Sequence, residues 1–142
     1  MCTSSPEEGK ASMAPIPHSV LVVDDDESFR RLLCRCAEGL GCRLTYACDG
    51  EDAVDLFESG RFDLIVMDII MPLMDGVDAI RAIRKLEAKS GRGATPILAL
   101  SAESDVETGV NAMDAGATRM LPKSVGFSGL TEAMRDMLSG VP

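Results

Sequence analysis

The stretch FDLIVMDIIMPLMDG, Phe62 to Gly76, decides the fold. It opens as an apolar run, Leu64 to Met67, with no polar residue alternating in it. That pattern suits a strand covered on both faces, as in a parallel sheet flanked by helices. The run ends on a carboxylate, Asp68. Met71-Pro72 then stops any continuing ladder, because proline lacks the donor and restricts the residue before it. Asp75-Gly76 reads as a turn into the next helix. An acid at the carboxyl end of a buried strand stands where open α/β sheets bind their ligands.

The same alternation extends in both directions. Ser19 to Val23 is a second β-branched apolar run, and it ends on three acids, Asp24, Asp25 and Asp26. Phe29, Leu32, Leu33, Cys36, Ala37 and Leu40 follow at helical spacing. Gly41 to Ala47 reads as a strand, Asp49-Gly50 as a turn, and Glu51 to Ser59 as a short helix. After the central stretch, Val77, Ile80, Ile83 and Leu86 mark a helix that runs out near Gly91-Arg92-Gly93. Those glycines lack the following Gly-Lys-Ser/Thr of a phosphate loop and read as a surface connection. Thr95 to Leu100 is a fourth buried strand ending on Ser101. Val106, Val110 and Met113 line one face of a fourth helix. Ala117 to Leu121 is a fifth strand leading to Pro122-Lys123, and Phe127, Leu130, Met134, Met137 and Leu138 mark a last helix. Five βα units in strict alternation predict an α/β domain, a parallel sheet with helices on both faces, over residues 19–142. Met1 to His18, polar and with little to bury, reads as a tail or linker.

Composition narrows the function. A formal charge of −9 argues against direct nucleic-acid or anionic-membrane binding, both of which use basic surfaces. No apolar run approaches transmembrane length, and the polar N-terminus is not a signal peptide, so a cytoplasmic protein is expected. Five cysteines at irregular spacing do not make a disulfide framework and read as reduced thiols. The one histidine, His18, reads as a solvated tail residue rather than a catalytic group.

Right-handed crossovers put every strand's carboxyl end on one edge. Asp24 and Asp25 after the first strand, Asp68 on the third, Ser101 on the fourth and Lys123 after the fifth therefore converge. One acid of the triplet suffices to cap a helix, and Asp26 fits that task. The surplus carboxylates repel one another and call for a cation. Mg²⁺ takes one or two carboxylates and completes its shell with waters and phosphate oxygens. Asp68 is then placed as a nucleophile toward phosphorus, with Lys123 and Ser101 holding the phosphoryl oxygens.

With these residues in hand, the chain resembles the receiver (response-regulator) domains of two-component phosphorelay signalling from Val20 to about Leu138. The VLVVDDD run, Asp68 to Gly76, Ser101-Ala102, and Gly116-Ala117 with Lys123 carry the resemblance. It implies the flavodoxin-like (βα)5 fold with strand order 2-1-3-4-5. It implies that Asp68 is the phosphoacceptor, Ser101 the switch hydroxyl and Lys123 the phosphate-pairing lysine. Asp25, Asp68 and the backbone carbonyl of Ile70 would hold Mg²⁺, with Asp24 acting through a water. A histidine kinase or histidine phosphotransfer protein would be the donor, a further protein the target, and the side formed by the fourth helix, the fifth strand and the fifth helix the signalling surface. Ile70 and Glu103 fall where the family tunes hydrolysis, and an apolar Ile70 predicts slow autodephosphorylation.

Two positions depart from the family. Met120 stands where a switch aromatic is usual, and Ser124 where a cis proline follows the lysine. Either the bond before Ser124 is cis, at a cost of roughly 2.5–4 kcal/mol, or the loop takes a trans path. No effector segment follows the last helix, so a stand-alone receiver is expected, or a receiver cut from a hybrid histidine kinase. The alternative of another class is a pseudo-receiver, a docking module that takes no phosphate. An aspartate-based phosphohydrolase would need an acid two residues after the nucleophile, where Ile70 stands.

Overall fold

The computed structural model describes residues 17–69, 76–101 and 106–140. The elements follow the expected alternation: β1 Ser19–Val23, α1 Glu27–Leu40, β2 Arg43–Ala47, α2 Gly50–Ser59, β3 Leu64–Asp68, α3 Gly76–Ser90, β4 Ile97–Ser101, α4 Val106–Ala115, β5 Arg119–Pro122 and α5 Gly126–Leu138. A single 3-10 turn, Lys123–Val125, joins β5 to α5. The strands pair in parallel in the order β2-β1-β3-β4-β5, as the resemblance implies. Almost all of the expected tail, residues 1–18, lies outside the described residues.

Side chains of the three central strands alternate between two separate cores. Leu21, Val23, Ile65, Met67, Ile97 and Ala99 point to the side of α2, α3 and α4, where Phe57, Ile80 and Ile83 meet them. Val20, Val22, Leu64, Val66, Leu98 and Leu100 point to α1 and α5, against Leu33, Leu130 and Met134. Burial on both faces explains why these strands read as unbroken apolar runs. At the amino-terminal edge of the sheet, buried Glu87 accepts from Arg84 at 2.7 Å and from the Thr95 amide at 2.7 Å. Arg84 also donates to Gly116 O through Nε at 3.0 Å and Nη2 at 2.8 Å, so one ion pair ties α3 to the entrances of β4 and β5.

Three expectations need correction. The exposed face of α4 carries Val110 and Met113, at 52% and 43% exposure, while Gly109 and Ala112 face the protein. Small residues bring that helix close to the sheet, and a Cβ at Gly109 would overlap Met120 Sδ. Phe127 of α5 is likewise exposed, under Arg35, and not in the core. Among the cysteines, Cys36, Cys42 and Cys48 are free as expected, whereas Cys34 is disulfide-bonded.

Candidate phosphoacceptor and metal site

The sheet register builds the site. Val23 pairs with Met67, so Asp24, the next residue, comes level with Asp68 at the carboxyl end of β3. Asp68 pairs in turn with Leu100, one residue before Ser101, and Ser101 pairs with Pro122, one residue before Lys123. Asp24, Asp68 and Ser101 are all buried, whereas Asp25 is exposed.

The aspartate triplet divides its work. Asp26 caps α1, its Oδ1 accepting from Ser28 N at 3.0 Å. Asp24 Oδ1 accepts from Asp26 N at 2.7 Å and so bends the chain into the helix. Asp24 Oδ2 is buried and accepts no hydrogen bond, although Lys123 Nζ lies 3.1 Å away as an ion-pair partner. Lys123 Nζ donates to Asp68 Oδ2, also at 3.1 Å. Burial pulls the Lys123 pKa down, but the charges and contacts of Asp68 and then Asp24 outweigh it and leave the ammonium above its ordinary 10.5. The ring of Phe29, in the first turn of α1, lies under the same ammonium, 4.6 Å from centroid to Nζ.

One oxygen from each of Asp24, Asp25 and Asp68 lies within 4.8 Å of the others, the one such acidic cluster among the described residues. Hard carboxylate oxygens, two of them sharing a single ammonium, suit Mg²⁺. Ile70, Ala102 and Glu103 lie outside the described residues. His18 precedes β1 and sits at the opposite edge, its ring half exposed and 3.7 Å from Asp63.

A sequence profile of the response regulator receiver domain matches residues 20–135. The chain belongs to the response regulator receiver family. Response regulator MprA of Mycolicibacterium vanbaalenii is 38% identical over 123 residues, which is 87% of this receiver and 51% of that protein. That of Mycobacterium avium is 38% identical over 119 residues, covering 84% and 50%. The receiver thus spans about half the length of these relatives. Chemotaxis protein CheY4 of Vibrio cholerae superposes with a TM-score of 0.75 at 30% identity, covering 86% of this chain and 99% of that one. The receiver domain of a Pseudomonas aeruginosa sensor histidine kinase, solved with magnesium coordinated in its active-site cleft, gives 0.76 at 29% identity over 87% and 99%. A role in two-component signalling follows from membership.

Of the residues expected at the site, the fold brings Asp24, Asp25, Asp68 and Lys123 into one cluster and sets Ser101 on the neighbouring strand end. The peptide bond before Ser124 is trans, so of the two paths open at Ser124 the loop takes the second, and Lys123 still reaches both acids. Three contributors escaped the sequence reading. Phe29 read only as core. Gly76 read only as a turn, yet a Cβ there would stand 2.7 Å from Ile69 Cα and 2.9 Å from Asp68 O. Arg30 went unremarked; its Nε donates to Asp24 O at 2.7 Å and its Nη2 to Ala47 O at 3.2 Å, tying the ends of β1 and β2 together. Its guanidinium stacks on Tyr46, 5.0 Å from the ring centroid. An arginine six residues past a strand-terminal acid was the available signal.

Proposed function

We propose that this receiver accepts a phosphoryl group on Asp68 from a phosphohistidine of a histidine kinase or phosphotransfer protein, in a Mg²⁺-dependent reaction in the cytoplasm. The observation that carries the reading is the Lys123 ammonium held 3.1 Å from both Asp24 Oδ2 and Asp68 Oδ2. A structural ion pair needs one carboxylate; a second beside it, with Asp25 within 4.8 Å, makes a site short of positive charge. In the transfer an Asp68 oxygen forms the new O–P bond as the donor's P–N bond breaks, and the imidazole leaves. Lys123 pairs with one phosphoryl oxygen, and the Ser101 hydroxyl donates to another. Asp25, Asp68 and the Ile70 carbonyl would hold Mg²⁺, with Asp24 acting through a water, and the ion would supply charge neutralisation for the phosphoryl oxygens. The Asp26 amide holds the Asp24 carboxylate at the strand end, and Arg30 holds the Asp24 backbone carbonyl. The signal then passes to a protein target through α4, β5 and α5, where Met120 rests against Gly109.

Intact mass after incubation with acetyl phosphate tests this, with and without Mg²⁺, on the parent and on Asp68→Asn. A single-phosphoryl adduct that needs both Mg²⁺ and Asp68 is expected. A folded parent that takes no phosphoryl group from acetyl phosphate or from a histidine phosphotransfer protein would overturn the reading in favour of a docking module.

A further inference from the structure

We propose that Phe29 is a positioning residue for Lys123, holding the ammonium through the face of its ring; the inference rests on the phosphoacceptor reading of Asp68 and deepens it. Phe29 is 7% exposed, and its ring centroid is 4.6 Å from Lys123 Nζ. The ammonium is therefore bounded by two carboxylate oxygens at 3.1 Å and by one aromatic face. These neighbours differ in kind. The carboxylates are the same groups a divalent cation would draw on, so their hold on the lysine weakens when metal binds. The ring attracts a cation through its quadrupole and offers no lone pair to a metal.

The backbone alone does not fix the ammonium. Lys123 opens a one-turn 3-10 segment whose preceding residue, Pro122, makes no side-chain cap, and its charge sits on a flexible four-carbon stem. Phe29 is anchored from behind by its core neighbours on the α1–α5 side of the sheet, with Leu33 and Leu130 in the same cluster. The ring thus has a fixed position, and it is a contact that metal entry leaves unchanged. It keeps the charge where phosphoryl oxygens arrive after the carboxylates have turned to the metal. An aliphatic side chain of similar size would fill the space without doing this.

The test uses Phe29→Leu, Phe29→Met and Phe29→Tyr in the full chain, with two readouts. The first is the proton–carbon NMR spectrum of the lysine ε-methylenes without metal, with Lys123→Met to assign the signal. Ring current should move the Lys123 ε-protons upfield of the other lysines; the shift should persist in Phe29→Tyr and vanish in Phe29→Leu and Phe29→Met. The second is the rate of phosphoryl uptake from acetyl phosphate across a Mg²⁺ titration. Phe29→Leu and Phe29→Met should be slower by about three- to tenfold at saturating Mg²⁺, as expected for loss of a desolvated cation–ring contact. The Mg²⁺ concentration at half-maximal rate should hold, and Phe29→Tyr should stay close to the parent. Aliphatic variants as fast as the parent, an unshifted Lys123 signal in the parent, or equal loss in Phe29→Tyr would overturn the proposal. If the parent takes up no phosphate at all, the receiver reading fails, while the NMR arm still decides the ring contact.

Discussion

Gly76 lies so close to Ile69 that an added Cβ would stand 2.7 Å from the Ile69 Cα and 3.0 Å from its Cγ2. The start of α3 is thereby pressed onto the backbone that carries Asp68. Backbone atoms cannot swing aside as a side-chain tip can. Gly76→Ala should therefore destabilise the receiver by about 1–3 kcal/mol, the range for overpacking. Displacing Asp68, the proposed phosphoacceptor, by a fraction of an ångström should also slow phosphoryl uptake about ten- to a hundredfold. Gly93→Ala, with open space around its Cα, is the control and should change neither. Denaturant melts and uptake rates on both variants check this; parent-like uptake in Gly76→Ala would refute it.

Lys123 places a single ammonium between the buried carboxylates of Asp24 and Asp68. Replacing it by methionine leaves two buried carboxylates and a nearby third without their ammonium. Lys123→Met should lose about 1–3 kcal/mol in EDTA, less than a fully buried pair would cost because the lysine side chain is 23% exposed. Mg²⁺ at the proposed site would favour the folded state and should recover much of that loss. The expected result is a larger rise in Tm on adding Mg²⁺ in Lys123→Met than in the parent. Equal rises would show that the lysine and the metal do not share the carboxylates.

The same lysine sets a pH dependence. Its folded pKa lies above 10.5, because the pull of Asp68 and Asp24 outweighs the burial that lowers it. A raised folded pKa contributes stability that is fully present below the unfolded value and is lost as pH rises through the folded one. The stability gap between the parent and Lys123→Met should stay constant from neutral pH up to about 10 and close only above the 10.5 of a free lysine. A gap that closes near pH 8 would contradict the ion-pair geometry.

Glu87 offers a test of stability without function. It is 4% exposed and holds Arg84 and the Thr95 amide at the edge of the sheet away from the acids. Glu87→Ala should cost about 1–3 kcal/mol, because it leaves an amide without an acceptor and takes the carboxylate from a guanidinium that is 21% exposed and still donates to Gly116 O and Thr95 O. At a temperature where the variant is still folded, its Mg²⁺-dependent uptake should match the parent's. A selective loss of uptake would mean that this edge communicates with the site.

The cysteines should label in a definite order. Cys48 is exposed and free, whereas burial pushes the Cys36 and Cys42 thiols above their ordinary 9.0. Access favours Cys48, and burial lowers the thiolate fraction of Cys36 and Cys42. Peptide mapping after iodoacetamide at pH 8 should find Cys48 modified first, with Cys36 and Cys42 reacting only on unfolding. Early modification of Cys36 would place it outside the α1–α5 core.

The fold was legible because its three central strands are buried on both faces, which leaves apolar runs that a solvated sheet would not show. The acids were legible for a related reason: a carboxylate ending such a run cannot be core. What stayed hidden depends on partners distant in sequence. The inward face of α4 was misread because Gly109 and Ala112 pack by being small, so hydrophobicity pointed to Val110 and Met113. Phe29 looked like any helical core residue, since its meeting with Lys123 joins positions at opposite ends of the chain. The trans path at Ser124 was one of two that the residues allowed.

The division of the central strands between two cores has a consequence for assembly. If one strand slid by a single residue, the side chains meant for one layer would face the other. The same slip would carry Asp24 or Asp68 away from the lysine, because each is placed by counting from its own strand. A molecule with misplaced acids is therefore also one with a broken interior, and it would be discarded as unfolded before it could bind anything. Folding proofreads the placement of the acids.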